Sequence, residues 1–124
     1  MSLKFLFILF VAGGLGTLAR YGLSSLVTQL AWRGFPWGTF TVNIIGCLLF
    51  GFIWICAGRH MFSDATRLII LVGFMGSFTT FSSLIGESFS LSQSSLALML
   101  ANILGQMVVG FAALYIGIMA GRAI

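Results

Sequence analysis

Polar positions are sparse along this chain and gather in short clusters, which leaves four long apolar stretches at roughly 3–30, 39–57, 66–91 and 96–120. Each is long enough to meet the ~20 residues a helix needs to cross a bilayer. The clusters between them read as boundaries. Trp32 to Gly38 is a short turn with two tryptophans suited to the headgroup region and a proline suited to a helix start. Gly58 to Ala65 is the most polar patch, and Gln93-Ser94-Ser95 opens the last stretch. No segment outside the spans exceeds about ten residues, which excludes a soluble catalytic domain, a nucleotide fold or a ligand-binding domain. The expectation is an all-α membrane protein, one four-helix transmembrane domain over 1–124. Lys4 followed by Phe5 to Ala12 imitates a signal peptide, but the apolar pattern continues past any plausible cleavage point and Arg20 follows, so this is read as the first span.

The third stretch is not written like a lipid anchor. Between Gly73 and Glu87 it carries Gly76, Ser77, Thr79, Thr80, Ser82 and Ser83. Glycines lower helix propensity and clustered hydroxyls compete for backbone groups, so the helix is expected to break near its middle, between Gly76 and Thr80. Backbone freed in hydrocarbon is tolerated only where it is buried in protein, lines a wet cavity or coordinates an ion. The stretch is therefore a candidate ion or substrate site; a Gly/Ser-rich packing seam between spans is the competing reading.

Other polar residues sit at helical spacing. Thr39 and Asn43 share a face with Gly46 close by, and Asn102 and Gln106 form a stripe that continues to Gly110. A lone asparagine in a span is either an interhelical hydrogen bond worth about 1 kcal/mol or, with its NH₂ turned to a pore, an anion donor. Arg20, inside the first span, needs a partner, an aqueous opening or a snorkelling path to the interface. Small residues at Gly13, Gly14 and Gly16, at Ala101 and Gly105, and at Gly117 and Gly121 suit close helix contacts.

Composition sharpens this picture. With 60% hydrophobic residues, 6% charged and a mean hydropathy of +1.15, the chain is an integral membrane protein. The net charge of +4 comes from scattered residues that read as topology signals, so nucleic acid is not an expected partner. Lys4, Arg59, Arg67 and Arg122 fall on one side of a four-span path and Arg33 on the other, which favours cytoplasmic termini. Cys47 and Cys56 lie on opposite faces of the second span, roughly 13 Å apart along its axis, and read as small hydrophobes. His60 has no carboxylate or cysteine pair at ligand spacing, and Ser63 or Asp64 suits the cap of the third helix. The carboxylates are Asp64, in a loop, and Glu87, towards the far end of the third span. That inventory disfavours a small proton-coupled exporter, which wants a titratable carboxylate near the midplane. Polar residues on three spans disfavour a non-transporting scaffold. Neutral donors at Asn43, Thr79, Thr80, Ser82, Ser83, Asn102 and Gln106, with phenylalanine ring edges, suit passive anion conduction and no enzymatic chemistry.

Gly13-Gly14-Leu15-Gly16 followed by Arg20-Tyr21, the run Gly38-Thr39-Phe40-Thr41-Val42-Asn43-Ile44-Ile45-Gly46, and Gly73-Phe74-Met75-Gly76-Ser77-Phe78-Thr79-Thr80-Phe81-Ser82 resemble three signatures of the bacterial CrcB/Fluc fluoride channels. The resemblance runs through all four spans and includes Glu87. It implies an antiparallel dual-topology homodimer in the bacterial inner membrane, surrounded by lipid, that passes fluoride passively out of the cytoplasm and confers fluoride resistance. It further implies a structural sodium ion held at the dimer centre by the Gly76 and Thr79 carbonyls. Asn43 and Phe81 would line the pores, Ser82, Asn102 and Gln106 would supply a polar track, and Arg20, Thr39, Thr80 and Glu87 would support it. Two positions depart from the family pattern: Ser77 replaces a glycine, and Leu84 replaces a second pore phenylalanine. These departures leave a heterodimer with a homologue open beside the homodimer.

Overall fold

The computed structural model describes residues 2–59 and 61–124, and its described elements are all helical. They are α1 (Leu3–Leu30), α2 (Trp37–Gly58), a third span made of α3 (64–78) and α4 (Phe81–Ser92), and α5 (Leu96–Ala123). The stretches Leu3–Leu30, Trp37–Gly58, Asp64–Ser92 and Leu96–Ala123 are each long and apolar enough to cross a membrane. His60, considered above as a metal ligand, lies outside the described residues.

Helices start where a hydroxyl oxygen can accept an orphan N–H. Ser63 accepts from Thr66 N at 3.2 Å, so it, and not Asp64, caps α3. Thr80 accepts from Ser83 N at 3.2 Å at the start of α4, and Ser95 from Leu98 N at 3.2 Å at the start of α5. Pro36 occupies the cap position of α2, without a side-chain bond, and supplies a fixed φ instead.

Packing follows the small residues, because in lipid the hydrophobic effect does not drive one helix onto another. α2 and α5 form the closest pair: a methyl at Gly117 would run into the Leu48 carbonyl, so the two backbones touch there. α1 meets α3 in the same way, with Gly16 against the Phe74 carbonyl. Gly14 has open space around it and Ala101 is exposed, so neither takes part in a seam of this kind. The core is small: Val42, Leu71, Met75 and Phe78 cluster at 8% exposure or less, while Phe81, Phe89, Leu104 and Phe111 are exposed to whatever surrounds the single chain. Cys47 is half-buried and Cys56 buried, both as free thiols.

The third span changes winding along its length. Ile69–Met75 is π-helical, a form found mostly as short bulges that are frequent at functional sites. Gly76 keeps helical angles, φ −64° and ψ −27°. The backbone then becomes extended at Thr79 (φ −84°, ψ 159°) and Thr80 (φ −148°, ψ 118°) before α4 begins.

Candidate functional site

Thr79 closes α3 with both of its donors: its N–H and its Oγ1 reach the Met75 carbonyl at 3.1 and 3.0 Å. Thr80 turns away from the helix altogether. Its N–H donates to Asn43 Oδ1 at 2.8 Å, and its carbonyl accepts from Asn43 Nδ2 at 3.1 Å. The Asn43 amide thus pairs with Thr80 as a neighbouring strand would, and satisfies backbone that the helix has abandoned. Gly46, one turn further along α2, makes room, since a methyl there would meet Thr79 Cγ2. The Gly76 carbonyl loses the helical donor four residues on, because that N–H is committed to Asn43.

A hydrogen-bonded relay leaves Asn43 in one direction. Asn43 Nδ2 donates to Gln106 Oε1 at 2.7 Å, Gln106 Nε2 to Asn102 Oδ1 at 2.9 Å, and Asn102 Nδ2 to Ser88 Oγ at 3.0 Å. Asn102, Gln106 and Ser88 are 0%, 6% and 3% exposed, so each needs these partners to be buried without a large penalty. The relay ties α2, α5 and α4, with the extended backbone at its start, together, and each amide's orientation follows from that of its neighbour. Both Asn43 N–H groups are engaged within the single chain, one by the Thr80 carbonyl and one by Gln106 Oε1.

Two cavities meet at Thr80. One is a groove of about 410 Å³ lined by Asn43, Cys47, Thr79, Thr80, Phe81, Leu84 and Gln106, with Phe50 and Phe111. The other is a polar recess of about 560 Å³ lined by Arg20, Ser24, Thr28, Thr39, Thr80, Ser83 and Glu87. Thr80 borders both, so the extended backbone is their shared wall. Inside the recess, Thr39 Oγ1 donates to Glu87 Oε1 at 2.7 Å, while Glu87 Oε2 is buried without a hydrogen-bond partner among the described residues. Arg20 is half-buried in the same recess. A cation, a carboxylate and several hydroxyls thus surround one recess, on the other side of Thr80 from the apolar groove.

The sequence-derived candidates separate under this geometry. Asn43, Thr79, Thr80, Phe81, Leu84 and Gln106 come together on the groove, and Arg20, Thr39 and Glu87 on the recess. Phe81 is 68% exposed and Leu84 only 3%, so the two groove positions differ sharply in how much of the side chain the single chain covers. Asn102 does not line the groove; it is enclosed behind Gln106. Ser82 is exposed, bonded to Thr80 Oγ1 at 3.3 Å, and lines neither cavity. Sequence reasoning missed Ser88 as the end of the relay, although Thr80, Leu84 and Ser88 recur at four-residue spacing and share a face. It also missed Phe50 and Phe111, whose place on the groove depends on how α2 and α5 pack.

The family model for CrcB-like protein, Camphor Resistance (CrcB), matches residues 7–118. A protein of Solidesulfovibrio magneticus named fluoride-specific ion channel FluC is 50% identical over 116 residues, covering 92% of this chain and 93% of that one. Proteins of the same name are 46% identical over 116 residues in Nitratidesulfovibrio vulgaris strain Miyazaki F, covering 92% and 94%, and 47% identical over 126 residues in Desulforapulum autotrophicum, covering 100% of each chain. The match runs through every helix that builds the relay, the groove and the recess, and this chain belongs to the CrcB family.

Proposed function

We propose that this chain is a multi-pass membrane channel that lets fluoride leave the cytoplasm passively. The observation that carries the reading is full-length similarity to relatives named as fluoride-specific ion channels, at 46–50% identity. The geometry supports it. A small anion leaving water needs polar groups fixed in place, and Thr80 and Asn43 hold Gln106, whose second amide N–H makes no bond among the described residues, beside an otherwise apolar groove. The Phe81 ring contributes its electropositive edge, and the recess with Arg20 offers an aqueous approach. Fluoride enters a cell as the neutral acid and ionises inside, so a selective exit gives fluoride resistance.

In this reading the third helix is functionally broken at Thr79 and Thr80, and two copies pair antiparallel in the inner membrane across their exposed grooves. The breaks then face each other near the midplane. A structural sodium ion fits the residues available there, because carbonyl oxygen is the ligand type of a hard cation and the Gly76 carbonyl has lost its helical donor. The Gly76 and Thr79 carbonyls of each copy would hold it and join the two broken helices.

Purified protein in liposomes loaded with fluoride or chloride tests the proposal. Fluoride should be released without a proton gradient and chloride retained. Release only under a gradient would identify a proton-coupled exporter, and no release a scaffold; either outcome overturns the channel reading.

A further inference from the structure

α2 and α5 run parallel and in register along the groove. Asn43 meets Gln106 at 2.7 Å, Cys47 Sγ lies 3.4 Å from where a Cβ of Gly110 would stand, and a Cβ at Gly51 would meet the Leu114 carbonyl. Each level follows the last by four residues on both helices, about one turn or ~6 Å along the axis. The first level carries two amides. At the second, the polar stripe of α5 continues to Gly110, which has no side chain, and the space one would occupy borders the Cys47 thiol. Gly110 is buried and Cys47 half-buried, and both line the groove with Asn43 and Gln106. Further along these helices the lining is Phe50, Phe111 and Leu114, so the thiol is the last polar group that α2 and α5 give the groove.

Cys47 is a free cysteine, and its S–H donates to nothing among the described residues. A second donor beside it is also unspent. Gln106 is only 6% exposed, and while one Nε2 hydrogen bonds Asn102 Oδ1, the other makes no bond among the described residues. An N–H enclosed in this way requires a partner, and the groove that Gln106 lines is where one can come from. Two unspent donors one turn apart on one groove suit an anion that passes from the first to the second. We propose that Cys47 lines the fluoride path and supplies, one turn beyond Gln106, the donor that Gly110 cannot. This rests on the channel reading and adds a residue to it. It also makes the path sensitive to a soft cation: silver ion replaces the thiol proton, forming a sulfur–silver bond and releasing H⁺, and the adduct closes a passage that fits fluoride.

Fluoride release from liposomes holding the full chain, in chloride-free buffer with and without silver nitrate, tests this. Silver should stop release by the unmodified protein, and equally by Cys56→Ala, which removes a buried thiol that does not line the groove. Cys47→Ser should release faster, a hydroxyl being the stronger donor, and resist silver. Cys47→Ala should release about three- to tenfold more slowly, the share of one weak donor to an anion, and also resist silver. Adding Gly110→Ser to Cys47→Ala moves the donor from α2 to α5, into space where the new Cβ has only Cys47 Sγ at 3.4 Å and Ile44 Cδ1 at 3.8 Å near it. Release should then recover towards the parent rate and stay silver-resistant, with the circular dichroism of the parent throughout. Release from the unmodified protein that silver does not slow overturns the proposal and leaves the channel reading standing, as does a block that persists in Cys47→Ala or Cys47→Ser. A well-folded Cys47→Ala at the parent rate, or a double variant no faster than Cys47→Ala, does the same; if the alanine variant does not fold, the silver response of Cys47→Ser decides. No release from the unmodified protein without silver overturns the channel reading itself and this inference with it.

Discussion

Asn43 makes three hydrogen bonds with one side chain, and Asn43→Ala removes all of them: 2.8 Å from Thr80 N–H, 3.1 Å to the Thr80 carbonyl and 2.7 Å to Gln106. Interhelical bonds in membranes are worth on average ~0.6 kcal/mol and at most ~1.7. Two of the orphaned groups belong to extended backbone that has no helical alternative, which moves the expected cost above the average. The sum is a destabilisation of about 2–4 kcal/mol. The relay should also lose its direction, because Gln106 Oε1 no longer has a donor to hold the amide in its present orientation. Two measurements on one preparation separate the consequences: unfolding by denaturing detergent followed by circular dichroism, and fluoride release per folded protein in liposomes. Both should fall. An alanine variant as stable as the parent, within about 0.5 kcal/mol, would show that the Asn43–Thr80 pairing does not hold the extended segment. A destabilised variant with undiminished flux per folded protein would confine Asn43 to a structural role.

Phe81→Leu should abolish fluoride release, because it replaces the exposed ring beside Thr80 with a side chain that has no electropositive edge; normal release would leave conduction to the polar relay alone. Leu84→Phe should keep or raise release, the larger ring extending into the groove, and a silent, well-folded variant would mean that the groove has no room for it. Gly117→Val should separate α2 from α5 and cost at least ~1–3 kcal/mol, read as loss of monodisperse protein; a variant that purifies like the parent would refute backbone contact at that level. For the antiparallel pairing, a cysteine at position 33 introduced by Arg33→Cys, in a chain also carrying Cys47→Ala and Cys56→Ala, should label partially from each side of the membrane. Labelling from one side only would sink the dual-topology arrangement.

Local pattern alone determined a good deal of this protein. Four apolar runs interrupted by short polar clusters require four spanning helices, because hydrocarbon leaves the backbone no other way to satisfy its own polar groups. Hydroxyls just ahead of the apolar runs mark helix starts, as Ser63 does for α3. Four-residue spacing put Asn102, Gln106 and Gly110 on one face, and that face is buried. The tertiary structure decided which face meets which. Asn43 finds Thr80 at a separation of 37 residues and Gln106 at 63, contacts that no local period encodes. Phe81 and Leu84 are near neighbours on one helix, yet one is exposed and the other buried, because α4 turns Leu84 and Ser88 toward α5. The place where the third span leaves helical geometry has the same origin. Glycines and hydroxyls from Gly76 to Thr80 weaken the helix throughout, but the backbone becomes extended only at Thr79 and Thr80, where the Asn43 amide on another helix offers a partner for the groups set free.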